Sequence, residues 1–391
     1  MDNKKKLKTI LSVTGIRSEY DILYPVYKAI EAHPKLSLSL IVTGAHLSKR
    51  FGLTVEQIRN DGFSIVGEVE NLIDDDHDAS RIIGAAIQLK GLAEMIDRVR
   101  PDILLAFGDR EESINVALVG SYLNIPVVHI SGGDRVVGNV DDHVRHATTK
   151  LAHLHCTTNE ESKERIIKMG EQPFRVYNVG NPGIDRIMQT PTMNREELWN
   201  FYRFEQEAIQ KPLLLVIQHV ISTEIEHAYS QMKTTLEAIK ELNFPTVVSY
   251  PNSDPGSRAI IECIEEYKNV PFIRTFRNIP RIPFVNTMRH AACMVGNSSA
   301  GLLEAPSLKL PVINIGNRQT ARLHVDNVSF VPHDTKTIIE HIKRACFDEE
   351  YKKKISQCKS PYGDGKASER IVEILSTITL DEKLLIKDIT Y

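Results

Sequence analysis

The sequence has little of what marks a secreted, metal-binding or membrane protein. It contains five cysteines in 391 residues and no CxxC pair, which favours reduced thiols and speaks against a structural zinc site. No apolar run is long enough to cross a bilayer, and the basic start lacks a signal-peptide core. The net charge of −3 gives no reason to expect nucleic acid or an anionic membrane as a partner. We therefore expect a cytoplasmic protein.

Two common sequence signatures are also missing. The turn after the first strand-like run is not GxGxxG, so the dinucleotide fingerprint is absent, and the histidines show no HExxH spacing. The composition, 42% apolar and 25% charged, is that of a folded chain. A length of 391 residues is large for one hydrophobic core, which favours two domains.

Short apolar runs alternate with amphipathic, helix-like segments along the whole chain. In the first half, strands are predicted at Leu7–Val13, Leu36–Val42, Ile103–Phe107, Val127–Ile130 and Arg175–Val179. Helices are predicted over residues 79–98, which Pro101 ends, and over Asp141–His155. Strands that are nearly all apolar are expected when helices cover both faces of a parallel sheet.

The pattern restarts after residues 181–211, a segment with several prolines. The second half predicts strands at Leu213–Ile217, Thr246–Tyr250, Phe272–Phe276, Cys293–Val295 and Val312–Ile315, and helices over residues 224–242, 257–267 and 366–378. Two such arrays predict an α/β protein with two Rossmann-like, doubly wound domains facing a cleft. We expect an N-terminal domain over residues 1–180, a C-terminal domain over 181–365, and a terminal helix within 366–391 that packs back on the N-terminal domain.

The largest group of candidate functional side chains lies between residues 105 and 155. Its carboxylates are Asp109, Glu111, Glu112, Asp134, Asp141 and Asp142. They fall at or just past predicted strand ends or at helix starts, where ligands bind in open α/β sheets. Acids crowded at such an edge indicate acid/base chemistry more than a core. His146 lies on the same predicted helix as the last two acids, which fits proton transfer or phosphate contact.

Other segments after predicted strands are candidate ligand loops, each with a plainer interpretation. Ser298 and Ser299 can form an anion site at a helix start, or simply cap that helix. Glu304, about one turn into the same helix, can accept hydrogen bonds from sugar hydroxyls or be solvated. Arg17 and Arg318 can bind a diphosphate, or pair with nearby acids. His219 can face the cleft, although an isolated histidine is more often structural.

Five motifs, in this order, resemble one family. They are GDRxE, HIxGGxxxG with D[DE]xxRHAxTKLAHLH, VGNPGID, GNSSxGLLEAPS and INIGxRQxxRxxxDN. Each is weak alone, but together they resemble the hydrolysing UDP-N-acetylglucosamine 2-epimerases of sialic-acid and legionaminic-acid biosynthesis. The resemblance implies the glycosyltransferase-B fold, a UDP-sugar substrate, no metal or other cofactor, and a homodimer or homotetramer.

The resemblance also implies a reaction and the residues that perform it. UDP-N-acetylglucosamine would lose UDP across C1–C2, and hydration of the resulting glycal would give N-acetylmannosamine. A close branch acts on UDP-2,4-diacetamido-2,4,6-trideoxyglucose. The catalytic positions implied are Asp109, Arg110, Asp141, His146 and His219. The substrate- and nucleotide-binding positions implied are Arg17, His46, Ser298, Ser299, Glu304 and Arg318.

The sequence departs from the family pattern at three places. Many members have a catalytic glutamate where this chain has Ser131, and our hypothesis is that Asp134 replaces it. The interval from Asp134 to Asp141 is one residue longer than in the sialic-acid enzymes, and Asp21 stands where a serine is common. Two alternatives remain open: a glycosyltransferase on the same fold, and an inactive nucleotide-sugar-binding protein.

Overall fold

The computed structural model of the protein describes residues 7–73, 78–135, 140–221, 223–251, 256–320 and 322–390. The chain forms two compact units, which we call unit 1 and unit 2. Unit 1 contains residues 1–188 and 362–391, and unit 2 contains residues 189–361. The chain therefore enters unit 2 somewhat later than residue 180 and returns to unit 1 for its last thirty or so residues.

Each unit contains one parallel sheet. Within the described residues the strands, numbered in chain order, are β1 (Lys8–Thr14), β2 (Leu36–Thr43), β3 (Ile65–Val69), β4 (Ile103–Phe107), β5 (Val127–Ile130), β6 (Leu154–Thr157), β7 (Val176–Asn178), β8 (Leu214–Ile217), β9 (Thr246–Ser249), β10 (Ile273–Phe276), β11 (Cys293–Gly296), β12 (Val312–Ile315) and β13 (Val328–Val331). The order is β3-β2-β1-β4-β5-β6-β7 in unit 1 and β10-β9-β8-β11-β12-β13 in unit 2. The prediction of two Rossmann-like α/β domains is confirmed.

Helices connect the strands and cover both faces of each sheet. In chain order they are α1 (Arg17–Ala32), α2 (Val55–Asn60), α3 (Asp78–Val99), α4 (Glu111–Leu123), α5 (Val140–Leu151), α6 (Glu160–Lys168), α7 (Pro182–Gln189), α8 (Arg195–Tyr202), α9 (Ala228–Leu242), α10 (Ser257–Glu266), α11 (Arg281–His290), α12 (Ala300–Leu303), α13 (Thr335–Phe347), α14 (Glu349–Ser356), α15 (Ala367–Thr377) and α16 (Glu382–Leu385). No helix among the described residues is both long and apolar enough to span a bilayer.

The apolar strands of unit 1 divide their side chains between two cores. Ile103 and Leu105 belong to a core that includes residues of α1 and α15. Leu104 and Ala106 belong to a second core that includes residues of α3 and α4. Successive strand side chains point to opposite faces, so a strand with helices on both sides has few positions that favour a polar residue. This explains the continuous apolar runs in the sequence.

The predicted helix over Asp141–His155 is wrong at its C-terminal end. Helix α5 stops at Leu151, and Leu154–Thr157 forms the fully buried strand β6, parallel to β5. A short buried strand and the last turn of a buried helix have the same apolar content, so periodicity alone cannot separate them. The described strands β3 and β13 were also not predicted, because both are partly exposed edge strands with weak patterns.

The C-terminal segment packs on unit 1 through specific polar contacts. The Lys8 ammonium donates to the carbonyls of Leu375 and Ile378, both at 2.8 Å. Asp185 of α7 accepts hydrogen bonds from the backbone N–H groups of Ala367 (3.0 Å) and Ser368 (2.7 Å), the first residues of α15. A carboxylate at a helix N-terminus satisfies donors that the helix itself leaves unpaired.

Candidate active site

Both sheets have a topological switch point at which neighbouring connections leave in opposite directions. In unit 1 it lies between β1 and β4, and in unit 2 between β8 and β11. Loops that diverge at the carboxyl ends of such strands open a crevice, which is the usual ligand site of doubly wound sheets. The candidate residues of the sequence fall into two groups, one at this edge of each sheet.

In unit 1, Asp109 follows β4 and is bound by a buried arginine. The Asp109 carboxylate forms a close ion pair with the Arg145 guanidinium, which is 6% exposed, and Arg145 also lies 3.9 Å from Asp142. Arg145 and Asp142 both come from α5, three residues apart, so they share one face of the helix. Arg145 was not predicted as a site residue, although it lies beside His146 in the family-like motif.

Asp141 belongs to a second ion-pair network. Arg81 of α3 donates to the Glu111 carboxylate at 2.9 Å and lies 3.9 Å from Asp141 Oδ1. Arg110 contacts Glu111 at 3.2 Å and Glu112 at 3.5 Å. Burial raises the pKa of Asp141, against the opposing effects of Arg81 and Arg110. Asp141 therefore holds a proton more readily than an exposed aspartate, which suits an acid/base group.

The carboxylate edge also contains two buried glutamates without an assigned role in the sequence prediction. Glu19 is 9% exposed and Glu112 is 4% exposed. Burial and the Glu112 carboxylate raise the pKa of Glu19, and burial raises that of Glu112. Glu112 was visible in the GDRxE motif, whereas Glu19 lies in none of the five motifs and is buried.

Burial favours the neutral form of two histidines at this edge, His129 and His146. Burial lowers the pKa of His129 to about 3 and that of the half-buried His146 below its usual value. His129 donates from Nε2 to the Gly108 carbonyl at 2.8 Å and so supports the turn that presents Asp109. Within the described part of the chain, His146 Nδ1 has no hydrogen-bond partner. His146 can therefore accept a proton or a hydrogen bond without giving up a protein contact.

Asp134 lies in the loop after β5 and anchors the start of α6. Its Oδ1 accepts hydrogen bonds from Thr158 (2.7 Å), Ser162 (2.6 Å) and Asn159 (3.4 Å). Ser131, at the position of the family glutamate, is 8% exposed and has a left-handed backbone with φ of 63°. These contacts give Asp134 a structural task in addition to the catalytic one that we hypothesise.

The two predicted binding residues near β1 and β2 differ in accessibility. Arg17 is the partly exposed first residue of α1. His46 is fully buried, and its ring nitrogens bond to Thr14 (3.0 Å) and Thr54 (2.7 Å). In this arrangement His46 positions the β1 and β2 loops, and a direct ligand contact from its ring would require one of these bonds to break.

Asp21, another departure from the family pattern, is part of an ion pair. Asp21 lies on α1, and its carboxylate is 3.8 Å from the Arg186 guanidinium of α7. This ion pair balances the charge of Asp21 within unit 1.

In unit 2, a buried asparagine joins the loops that carry the predicted residues. Asn297 is 1% exposed; its side chain accepts from the His219 N–H at 2.7 Å and donates to the His219 carbonyl at 2.9 Å. Its own carbonyl accepts from Gln319 at 3.0 Å and from Arg318 at 3.4 Å. Asn297 thereby fixes the loops after β8, β11 and β12 to one another, a role that the sequence did not predict.

The serine loop after β11 leads into a short helix. Ser298 and Ser299 precede α12, which has a single turn and ends at Leu303. Glu304 is the C-cap of that turn, which agrees with its expected placement about one turn into the helix. A prolonged helix is prevented because Pro306 follows and a 3-10 turn, Ala305–Leu308, takes over.

One further histidine at this edge was not predicted. His333 follows β13, and its ring lies so close to Gly316 that a Cβ there would be 2.8 Å from Nε2. Neither ring nitrogen has a hydrogen-bond partner within the described residues, and burial lowers the pKa of His333. No motif marked this position, because the preceding strand is an irregular edge strand.

The fold and the two groups of residues define a doubly wound α/β protein with carboxylates at one switch point and hydroxyl and arginine side chains at the other. A family model described as UDP-N-acetylglucosamine 2-epimerase matches residues 28–376. The chain is 36% identical to UDP-N,N'-diacetylbacillosamine 2-epimerase (hydrolyzing) of Legionella pneumophila, over 97% of this chain and 99% of that protein. It is 32% identical to UDP-N-acetylglucosamine 2-epimerase of Neisseria meningitidis serogroup B, over 87% and 88%. The protein belongs to the UDP-N-acetylglucosamine 2-epimerase family.

Solved structures agree on the fold. UDP-GlcNAc 2-epimerase from Neisseria meningitidis bound to UDP-GlcNAc superposes with a TM-score of 0.80 at 22% identity, covering 94% of this chain and 99% of that one. The Staphylococcus aureus MnaA–UDP structure gives 0.75 at 20% identity, covering 94% and 96%. At these identities the likeness shows a shared two-domain glycosyltransferase-B fold.

Proposed function

We propose that the protein is a hydrolysing 2-epimerase that converts a UDP-linked 2-acetamido sugar and water into UDP and the free 2-epimeric sugar. The observation that carries the proposal is 36% identity, over nearly the full length of both chains, to a relative named as a hydrolysing 2-epimerase. The buried, differently paired carboxylates of unit 1 support it, because the reaction moves protons at one carbon in both directions.

The reaction has two steps with different demands. In the first, a base takes the C2 proton, the bond from C1 to the diphosphate oxygen breaks, and UDP leaves with that electron pair. In the second, water adds its oxygen to C1 of the acetamidoglycal, and C2 receives a proton on the opposite face. Proton transfer at C2 on both faces of one sugar ring requires at least two acid/base groups that hold different protonation states.

The different surroundings of Asp109 and Asp141 suit two different proton-transfer roles. Asp109 is bound to the buried Arg145, and a cationic partner stabilises the charged form of a carboxylate. Asp141 has a pKa raised by burial, which favours a group that carries a proton. We assign Asp109 and Asp141 to opposite proton-transfer roles, with Asp134 as the replacement for the family glutamate and His146 as a neutral partner.

The nucleotide is assigned to arginine, hydroxyl and carboxylate side chains in the loops that follow the strands. Arg17 and Arg318 are the candidate residues for the diphosphate, since guanidinium groups match its oxygens bidentately. Ser298 and Ser299 would add hydroxyl and backbone donors, and Glu304 would accept from ribose hydroxyls. His219 is fixed by Asn297 and would contact the leaving UDP.

For the sugar, we propose the 2,4-diacetamido-2,4,6-trideoxy class. The 36% relative and a 31% relative from Campylobacter jejuni are both named as diacetylbacillosamine 2-epimerases. UDP-N-acetylglucosamine is the second candidate, because the Neisseria meningitidis relative at 32% identity is named for it.

A direct test compares both UDP-sugars with the purified protein and no added acceptor. Stoichiometric UDP and free sugar, formed faster from the diacetamido substrate, would support the proposal. A 2-epimer still linked to UDP would identify a non-hydrolysing epimerase. UDP release that requires an acceptor sugar would identify a glycosyltransferase, and tight binding without turnover would identify an inactive binding protein.

A further inference from the structure

A cavity lies at the amino edge of the sheet in unit 2, and we call it the amino-edge cavity. Its volume is about 580 Å³, which falls within the range of small-molecule sites, roughly 300–1,000 Å³. Leu213, Ala292 and Pro311 line it, and they immediately precede the neighbouring strands β8, β11 and β12. The cavity is therefore at the opposite end of these strands from the candidate nucleotide residues.

The floor of the amino-edge cavity is apolar and buried. Leu213 is 0% exposed, Ile355 is 1% exposed and Cys346 is 6% exposed, and all three line the cavity. Phe347, which also lines it, is an exposed aromatic residue. Such a floor offers contact to the carbon skeleton of a ligand, as the apolar walls of most small-molecule sites do.

The charged residues that line the cavity are all cationic. They are Arg195, Lys211, Lys309 and Lys352, and no aspartate or glutamate lines the cavity within the described residues. Lys352 pairs with the exposed Glu349 at 2.9 Å. The other three have no carboxylate partner in the part of the chain that the structure describes, so their charge is left for an anion.

The arginine of this group is held in place by neutral acceptors. Arg195 donates from Nε to the Ile209 carbonyl and from Nη2 to the Lys211 carbonyl, both at 2.7 Å. Its guanidinium carbon lies 4.5 Å from the centroid of the Trp199 ring. These contacts fix the position of the guanidinium without cancelling its charge. The lysines differ from it, because an ammonium on a four-carbon stem can turn toward a bound anion.

We propose that the amino-edge cavity binds an organic phosphate monoester. The cations would bind the phosphate group, since four positive residues suit a doubly charged anion and lysine binds phosphate as a point charge. The apolar floor would contact the organic part of the ligand. This site goes beyond the proposed function and does not depend on it, because neither the carboxylates of unit 1 nor the candidate nucleotide residues take part.

The experiment is isothermal titration with phenyl phosphate, an aromatic phosphate monoester. It compares wild-type protein with the double variant Lys211→Gln, Lys352→Gln. The matched control is Lys233→Gln, Lys240→Gln, which removes the same charge from exposed lysines of α9 that do not line the cavity. We expect the dissociation constant to rise at least about tenfold in the site variant, because charge-assisted contacts are lost. It should stay within about twofold of wild type in the control.

A second measurement locates the bound probe. Cys346 lines the cavity and Cys358 does not. We expect phenyl phosphate to slow the alkylation of Cys346 by iodoacetamide and to leave that of Cys358 unchanged, as read from peptide mass spectrometry. Inorganic phosphate, which has no apolar part, should bind more weakly than phenyl phosphate because it gains nothing from the floor.

Three results would overturn the proposal. Equal weakening in both double variants would reflect net charge alone. Unchanged binding in the site variant, or an unprotected Cys346, would place the probe elsewhere. Absence of binding to wild type would remove the site altogether. Melting temperatures confirm that each variant folds, and either single lysine variant gives the same comparison with a smaller shift. No measurement uses a UDP-sugar, so the site and the proposed function fail separately.

Discussion

Neighbouring carboxylates at the edge of unit 1 differ in partner and burial. Asp109 is bound to a buried arginine, Asp141 is half-buried near Arg81, and Glu112 is almost wholly enclosed. Such differences push the protonation states of nearby acids apart, which is what a reaction with both a proton donor and a proton acceptor requires.

Asp134 provides a test of single-residue function. We expect Asp134→Asn to lower kcat by about 100-fold or more, since removal of a general acid or base has effects of this size. The measurement is the rate of UDP release with the 2,4-diacetamido substrate, together with a thermal melt. Full turnover in a folded variant would show that Asp134 acts only through its hydrogen bonds to the start of α6.

A matched control separates anchoring from catalysis in that comparison. Asp102 also anchors a loop of unit 1, accepting from the Thr9 N–H (2.7 Å) and hydroxyl (2.8 Å), but it precedes β4 and lies at the opposite edge of the sheet. Asp102→Asn is expected to lower the melting temperature while leaving kcat unchanged. A similar loss of kcat in both variants would indicate that the effect of Asp134→Asn is structural.

Residues with a chemical signature were easier to predict than residues that support them. Asp109, Asp141 and His219 stand in motifs after apolar runs, so their place at the sheet edge followed from the strand pattern. Arg145 and Asn297 act through contacts with segments distant in the chain, which periodicity does not reveal. Their roles depend on which loops the sheet order brings together.

At the scale of elements, every interior strand except β6 was predicted from the sequence, whereas of the four edge strands β7 and β10 were predicted and β3 and β13 were not. Strands β4 and β8 are continuous apolar runs, and β5 and β12 contain one polar residue each, because both faces of these strands are covered. Strand β13 has three half-exposed residues of four, and strand β6 was read as helix because it follows α5 after two residues. Complete burial therefore does not by itself mark an element as a strand, since β6 is fully buried.

The last residue of β11, Gly296, gives a prediction about stability. Gly296 has φ of 126°, and a Cβ there would lie 2.0 Å from the Ile217 carbonyl oxygen, a backbone atom of β8. We expect Gly296→Ala to lower the free energy of unfolding by roughly 3 kcal/mol, because strain and a backbone clash add. Gly62→Ala is the control: φ is 84° but the space is open, so the cost should be about 1–2 kcal/mol. Equal destabilisation in urea unfolding would contradict the clash.

The contact between α5 and the C-terminal segment predicts a pH dependence of stability. Lys387 donates to the carbonyls of Ala152 (2.5 Å) and Lys150 (2.8 Å), just past and within the last turn of α5, and lies 2.9 Å from Glu171. Burial opposes ionisation of Glu171, but hydrogen bonds from His155, Lys150 and Lys387 outweigh it and lower the pKa to about 2. The ionised form is therefore favoured in the folded protein.

The sign of the effect follows from this depressed pKa. Glu171 contributes stability above its unfolded pKa of 4.5, and this contribution, roughly 3 kcal/mol, is lost as the pH falls through about 2. We expect Glu171→Gln to be less stable than wild type at neutral pH, with a difference that shrinks below about pH 5. Urea unfolding at several pH values measures it, with the exposed Glu164→Gln as control. A difference that stays constant with pH would contradict the assigned network.

At the scale of the whole molecule, each unit has a different set of polar side chains at the carboxyl edge of its sheet. Unit 1 supplies carboxylates, arginines and a neutral histidine, and unit 2 supplies hydroxyls, arginine and His219. The two successive strand–helix arrays made this organisation predictable. The return of residues 362–391 to unit 1 depends on long-range contacts such as Lys8 with Leu375. The sequence predicted a terminal helix and its packing on the N-terminal domain, but not the contacts that hold it there.

The central claim is that water replaces UDP while C2 is inverted through a proton exchange with solvent. The most direct test is incubation with UDP-N-acetylglucosamine or its 2,4-diacetamido-2,4,6-trideoxy counterpart in D₂O, followed by NMR of the products. We predict UDP and a free sugar of inverted C2 configuration that carries one deuterium at C2. A free sugar with protium at C2, or a deuterated product still linked to UDP, would contradict it.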